Sequence, residues 1–104
     1  MTVVYQHRYL DSSSLDLPVG KVVCIGRNYL DHIRELNNAV PETPILFMKP
    51  ATALVALEQP IHLPAGRGEC HHEVELAVLV GQELRDADAK AARRTVVGYG
   101  VALD

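Results

Sequence analysis

Apolar residues concentrate in four short stretches whose composition is typical of β-strands. β-Branched side chains are common in them, and glycine or proline interrupts or bounds each one. The stretches are Lys21–Gly26, Ile45–Met48, Val74–Val80 and Thr95–Leu103. The third is the most apolar and is followed by Gly81. The pattern therefore predicts four strands.

Two segments have a different pattern. Between residues 27 and 38, Tyr29, Ile33 and Leu36 recur at helical spacing, and Asn28 is a good residue for capping the start of a helix. Residues 86–94 form a polar, alanine-rich stretch that also favours a helix. We therefore expect two short helices, one between the first two strands and one before the last.

This order of elements lacks the regular alternation of strands and helices that builds parallel sheets, and it lacks a glycine-rich phosphate-binding loop. An α+β fold dominated by strands is predicted. Residues 1–17 are expected to form an N-terminal strand and a linker, and residues 18–104 the main domain. Because the last strand is followed directly by Asp104, without turn or cap chemistry, we expect a longer protein.

Composition excludes several classes of function. The 104 residues fit one small domain, and a net charge of −3 provides no basic surface for nucleic acid. No signal peptide or membrane-length apolar stretch is visible, so we expect a cytoplasmic protein with no membrane partner. Cys24 and Cys70 have neither metal-ligand nor disulfide-framework spacing and are expected to be reduced thiols in or near the core.

The stretch HHEVELAVLVG carries the first candidate chemistry. Strand alternation places Glu73 and Glu75 on one face, which Ala77 and Leu79 continue as apolar positions. Two neighbouring carboxylates in a partly buried place repel each other, and a divalent cation relieves that repulsion. Oxygen ligands favour Mg²⁺ or Mn²⁺, with Ca²⁺ as a third candidate. The alternative is an amphipathic edge strand with two solvated glutamates.

The adjacent histidines, His71 and His72, do not indicate a zinc site, because the HExxH spacing is missing. We expect each histidine either to lie at the surface or to contact a metal ligand without binding the metal itself. Asp104 follows the apolar VAL of the last strand. It is either a third metal-binding oxygen ligand or the first residue of a turn.

A second candidate site lies in GRNYLDHIRE. His32 and Glu35 are three residues apart, so their side chains can meet on a helix. A carboxylate that orients an imidazole produces a competent general base. The alternative is a solvated pair on a surface helix. Arg27 and Asn28 stand at the predicted helix start, where they either bind an oxyanion or simply cap the helix. Lys49 ends an apolar strand and either reaches solvent, pairs with a carboxylate or meets an anionic substrate.

Together these segments resemble the fumarylacetoacetate hydrolase family. The matching stretches occur in the family's order, and four ordered motifs are far more specific than any one of them. They are KVVCIGRNYLDHIRE, PILFMKP, HHEVELAVLVG and GYGVALD, between Lys21 and Asp104. The resemblance is greatest to the small single-domain members, which include acylpyruvate hydrolases, oxaloacetate decarboxylases or tautomerases and 2-hydroxyhepta-2,4-diene-1,7-dioate isomerase-like proteins.

The resemblance implies a mixed β-roll and, usually, a homodimer. It assigns the metal to Glu73, Glu75 and Asp104, and water activation or proton transfer to His32 and Glu35. The implied substrate is a small 2-oxo or 2,4-dioxo acid, bound with help from Arg27, Asn28 and Lys49. Later family segments that line the substrate pocket are absent from this sequence. For the 104 residues alone we therefore expect weak or no activity.

Three reactions share a stabilised enolate: C–C hydrolysis, decarboxylation and keto–enol isomerisation. The sequence does not choose among these outcomes; we rank a metal-dependent hydrolase or lyase acting on acylpyruvate-type 2,4-dioxo acids first and a tautomerase or isomerase second. A non-catalytic module that binds a metal or packs against a partner is the third hypothesis. The His32–Glu35 pair separates it from the other two, because such a module does not need a general base.

Overall fold

The computed structural model describes residues 5–29, 35–36 and 42–104 of the chain. Its elements are β1 (Val22–Gly26), β2 (Ile45–Lys49), a 3₁₀ turn (Ala51–Ala53), β3 (Val74–Val80), α1 (Ala89–Arg94) and β4 (Val96–Leu103). Among these residues, more lie in strands than in helices, as predicted. The chain forms two compact units, Met1–Ala56 and Leu57–Asp104, and each is described by itself. The predicted division at residue 17 stays a prediction.

In the first unit, β1 and β2 form an antiparallel pair. Val22 lies opposite Lys49, and Gly26 lies opposite Ile45. Valine and isoleucine favour this extended pairing because their branched side chains pack well on a pleated surface. The strand bounds agree with the predicted ones to within one residue.

A tight turn precedes β1. Arg8 and Ser14 form an isolated antiparallel bridge, and within residues 5–17 this bridge takes the place of the expected N-terminal strand. The Asp11 carboxylate accepts hydrogen bonds from the Ser13 hydroxyl and the Ser13 backbone N–H. Because these bonds favour the charged form, they hold the pKa of Asp11 below its ordinary value, the hydroxyl contributing most.

The helix predicted within residues 27–38, with Asn28 as its cap, does not start directly after Asn28. Residues 27–29 are not helical, because Arg27 has a φ of +52° and turns the chain sharply at the end of β1. Glu35 is helical. Residues 30–34 and 37–41 lie outside the described residues, so the rest of this helix stays a prediction.

In the second unit, β3 and β4 are antiparallel and flank α1 in sequence. Val74 lies opposite Leu103, and the register continues to the pair of Leu79 and Gly98. The next pair is Val80 with Val96, so Val97 is an extra residue in β4. Such an extra residue is a β-bulge, which shifts the register of everything on one side of it by one position.

Helix α1 is held at both ends by hydrogen bonds. The Asp88 carboxylate accepts a bond of 2.7 Å from the N–H of Ala91, and the Thr95 hydroxyl donates one of 2.7 Å to the carbonyl of Ala92. The predicted helix started at Asp86. The actual helix starts at Ala89, because Asp86 has a φ of +49° and Asp88 is the cap.

Little of the described structure is fully buried. No large side chain among the described residues is completely inaccessible to solvent. Among the same residues, the polar side chain that is buried belongs to Thr95, which is 6% exposed. Cys24 is partly buried as expected, whereas Cys70 is exposed, so its prediction as a core or near-core thiol is wrong. It lies in the turn-rich segment before β3, where no element covers it. No helix within the described residues is long and apolar enough to cross a membrane.

Candidate active site

The pairing of β3 with β4 places the three predicted metal-binding carboxylates on one face. The N–H of Glu73 donates to the carbonyl of Asp104, and the N–H of Asp104 donates to the carbonyl of Glu73, both at 2.8 Å. Directly opposite residues that exchange both bonds have side chains on the same face, with Cα atoms about 5.5 Å apart. Glu75 follows Glu73 by two residues and therefore shares that face.

The bulge at Val97 produces this arrangement. If Val80 and Val96 were followed by regular pairing, Leu103 would lie opposite Glu73, one position out of register. A one-residue slip exchanges the two faces of a strand. The extra residue therefore brings Asp104, rather than Leu103, opposite Glu73.

The surface that carries these groups is termed the carboxylate face. It consists of Glu73, just before β3, of Glu75, Ala77 and Leu79 on β3, and of Gly98, Gly100, Ala102 and Asp104 opposite them. Its side chains on β3 are less exposed than those of the other face: Glu75 is partly buried, whereas Glu73 and Asp104 at the open end are exposed. A side chain added at Gly98 or Gly100 would meet nothing within 4 Å. The carboxylates thus stand beside open space above β4.

The side chains are not gathered into a ligand set. Among the described residues, no group of three His, Cys, Asp or Glu side chains is arranged so that it could hold a metal ion. Like charges repel, so three carboxylates by themselves favour separated rotamers. The structure therefore shows a common face and register for the three groups, and their convergence on one ion stays a prediction.

The two histidines before β3 border a concavity of about 340 Å³. Its lining consists of Ile61, Leu63, Cys70, His71, His72, Leu103 and Asp104. The His71 Nε2 atom lies 3.4 Å from a carboxylate oxygen of Glu69, and both side chains are highly exposed. This position agrees with the expected surface role of His71.

The predicted general base is only partly described. Glu35 is exposed and belongs to the first unit, whereas the carboxylate face belongs to the second. His32 lies outside the described residues, so the His32–Glu35 pair stays a prediction.

The three predicted substrate-binding residues also lie in the first unit. Lys49 ends β2 opposite Val22, and Arg27 and Asn28 follow Gly26 at the other end of the same ladder. Five strand residues at about 3.3 Å each separate the two ends by roughly 17 Å. The strand pair therefore does not bring Lys49 together with Arg27 and Asn28.

The small residues on the carboxylate face were missed in the sequence. Gly98, Gly100 and Ala102 occur at every second position of VVGYGVAL, which is the spacing that places residues on one face of a strand. Applying to β4 the alternation that was applied to β3 would have found them.

Comparison with known proteins gives the family. The family model described as "Fumarylacetoacetate (FAA) hydrolase C-terminal" matches residues 21–104. The chain is 54% identical over 101 residues to oxaloacetate tautomerase YcgM of Escherichia coli (strain K12), covering 97% of this chain and 46% of that protein. It is 44% identical over 85 residues to mitochondrial oxaloacetate decarboxylase of Dictyostelium discoideum, covering 81% and 39% respectively.

A solved structure shows the same fold. A fumarylacetoacetate hydrolase family protein from Yersinia pestis CO92 superposes with a TM-score of 0.91 at 49% identity, over 96% of this chain and 46% of that chain. The chain belongs to the fumarylacetoacetate hydrolase family, which confirms the resemblance and the strand-dominated fold drawn from the four motifs. It spans less than half the length of these relatives.

Proposed function

We propose that the chain supplies the metal centre and the general base of an enzyme that interconverts the keto and enol forms of oxaloacetate. The single observation that carries the proposal is the paired register of Glu73 and Asp104, with Glu75 on the same face. The relative from E. coli is named an oxaloacetate tautomerase, and that name supports this reaction over the others.

The donor set suits a hard divalent ion. Glu73, Glu75 and Asp104 would hold it, and three carboxylates with no thiolate or imidazole among them favour Mg²⁺ or Mn²⁺, then Ca²⁺. When bound, such an ion supplies the positive charge that stabilises an enolate. The open space beside Gly98 and Gly100 leaves room for a small dicarboxylate next to the three groups.

The chain's own residues would move the proton. In oxaloacetate, the carbon between the two carbonyl groups loses a proton, and the 2-oxo oxygen gains one as the C–C double bond forms. His32 would remove and return that proton, with Glu35 orienting its ring and stabilising its charged form. Arg27 and Asn28 would bind a substrate carboxylate. Lys49 lies at the opposite end of the β1–β2 ladder, so it is not assigned to the same carboxylate site. Neither water nor CO₂ takes part, so the atoms balance within the substrate.

The ranking of reactions changes from the one given by the sequence. Sequence reasoning placed hydrolysis of acylpyruvates or decarboxylation first and tautomerisation second. The names of the relatives favour the tautomerase, and the Dictyostelium relative keeps decarboxylation as the second candidate. A homodimer in the cytoplasm, acting on a 2-oxo acid, is part of the proposal.

A chimera provides the test. This chain replaces the matching residues of the E. coli tautomerase, and the rates of oxaloacetate enol loss, pyruvate formation and acylpyruvate loss are measured with Mg²⁺ or Mn²⁺. We expect enol loss well above the rate with metal alone, little pyruvate, and a fall of about 10²-fold or more in His32→Ala. The exposed His62 provides the control variant His62→Ala, which should keep full activity. Unchanged turnover in His32→Ala would remove the general base from the mechanism.

A further inference from the structure

A row of possible metal ligands continues beyond the carboxylate face, in the segment before β3. His71 precedes Glu73 by two residues, and Glu69 precedes it by four. Side chains two residues apart in an extended chain lie on the same side. The contact between the His71 ring and the Glu69 carboxylate agrees with this arrangement, because it joins two side chains with that spacing. Glu69, His71 and Glu73 therefore form one row of donors.

The separation of the His71 ring from the Glu69 carboxylate matches that of two ligands on one zinc ion. Nε2 of His71 lies 3.4 Å from Oε2 of Glu69. Strong hydrogen bonds between N–H and oxygen are shorter, at about 2.7–3.2 Å. Two ligands that each lie about 2.1 Å from one tetrahedral zinc ion are about 3.4 Å apart. The two atoms therefore have the spacing that zinc requires of its ligands.

Both side chains are open to an ion arriving from solvent. His71 is 77% exposed and Glu69 is 83% exposed, and an ion pair as exposed as this contributes little to folding. We propose that Glu69 and His71 form a zinc site that is separate from the three-carboxylate centre. The missing HExxH spacing gave no sign of such a site in the sequence, because its two ligands alternate along one extended segment instead.

Ligand chemistry separates the two sites. An imidazole nitrogen suits Zn²⁺, whereas a set made only of carboxylates suits Mg²⁺ and Mn²⁺. Zinc sites open to solvent have three protein ligands and a water, and the next donor in the row is the exposed Glu73. Among the described residues these three groups are not gathered into a ligand set, so Glu73 reaches the zinc by a change of rotamer.

Sharing Glu73 makes zinc an inhibitor of the metal centre. This step rests on the proposed function, in which Glu73 is one of the three ligands of a hard divalent ion. A glutamate that binds zinc is withdrawn from that ion, so each metal weakens the binding of the other by the same factor. Coupling of this kind typically changes an affinity about 5- to 150-fold. We expect zinc to lower the Mn²⁺ affinity about tenfold.

Zinc titration of the 104-residue chain tests the site. Calorimetry gives the affinity, and ¹⁵N spectra of the imidazole rings identify the nitrogen that binds. We expect one zinc ion per chain, bound through Nε2 of His71, with an affinity about tenfold or more lower in His71→Ala and in Glu69→Gln. Cys70→Ser and His72→Ala are the matched controls, because these exposed neighbours alternate to the other side of the segment. Both controls should keep the wild-type affinity.

Two sets of outcomes would overturn the proposal. Unchanged zinc binding in His71→Ala, or its loss in Cys70→Ser or His72→Ala, would remove the assigned site. All four side chains are exposed, so a loss of binding in one of these variants reports on zinc rather than on folding.

Competition between the two metals tests the sharing of Glu73. Zinc should weaken Mn²⁺ binding in the wild type but not in His71→Ala, and an equal effect in both proteins would overturn the shared ligand. The zinc titration needs neither Mn²⁺ nor substrate. It therefore stays decisive for the zinc site if the proposed function is wrong.

Discussion

Gly81 lies directly against the bulge that sets the β3–β4 register. Its N–H donates to the carbonyl of Thr95 at 2.8 Å, and a Cβ added to it would lie 2.3 Å from Cγ1 of Val97. The two other nearest atoms, Cγ2 and Cβ of Val97, would lie at 3.2 and 3.3 Å. Real carbon atoms do not approach so closely, and the branched side chain of Val97 has little rotational freedom. Gly81→Ala therefore forces the bulge to move.

The expected loss of stability follows from two opposing terms. Overpacking of this kind costs about 1–3 kcal/mol. Replacing glycine by alanine recovers about 0.4–1 kcal/mol by restricting the unfolded chain. The net expectation is a loss of about 1–2 kcal/mol. Val97→Ala alone should cost about 0.8 kcal/mol, because the two methyl groups it removes belong to a half-exposed side chain.

Urea unfolding of four proteins measures the effect: the wild type, both single variants and the double variant. The double variant removes the clashing Cγ atoms but keeps the gain from alanine, so it should be about 0.4–1 kcal/mol more stable than Val97→Ala alone. The coupling energy should then equal the overpacking cost, about 1–3 kcal/mol. Gly98→Ala is the control, since nothing lies within 4 Å of its added Cβ, and it should not lose stability. If Gly81→Ala is as stable as the wild type, or if the two substitutions are additive, the packing argument is wrong.

Two further predictions concern local hydrogen bonds. Asp88→Ala should cost about 1 kcal/mol in urea unfolding because α1 loses the cap on the Ala91 N–H, whereas Asp88→Asn should cost much less; equal losses would contradict the capping role. Ser13→Ala should raise the pKa of Asp11 toward its ordinary value, as measured by NMR titration. Because the folded pKa of Asp11 is lowered, its contribution to stability is present above the unfolded pKa and disappears as pH falls through the folded pKa. An Asp11 titration unchanged by Ser13→Ala would refute the assignment.

Local patterns were sufficient for most of the fold. The apolar runs predicted β1 to β4 to within one residue at each end, because each run is bounded or interrupted by glycine or proline. The alternation in HHEVELAVLVG also predicted that Glu73 and Glu75 share a face, and the structure places Asp104 opposite Glu73 on that face.

Sequence reasoning failed for the helix starts and gave no strand register, because at these points the backbone conformation of a single residue sets the course of the chain. A positive φ angle at Asp86 precedes the later start of α1, and another at Arg27 belongs to the non-helical residues 27–29; neither residue is a glycine that would have signalled such a turn. The bulge at Val97 has no sequence signal either, because one more valine in VVGYG looks like part of a regular strand. Pairing between strands distant in sequence is a tertiary property, so the position of Asp104 opposite Glu73 required the structure.

The central claim is that Glu73, Glu75 and Asp104 bind one divalent ion. Substoichiometric Mn²⁺ added to the ¹⁵N-labelled chain tests it most directly, since the ion broadens the amide signals of residues close to it. We predict that the amides of Glu73, Glu75 and Asp104 broaden first, that Glu75→Gln abolishes the effect, and that Glu83→Gln, at an exposed position after β3, leaves it unchanged. Broadening centred on Glu69 and His71, or broadening that survives in Glu75→Gln, would contradict the claim.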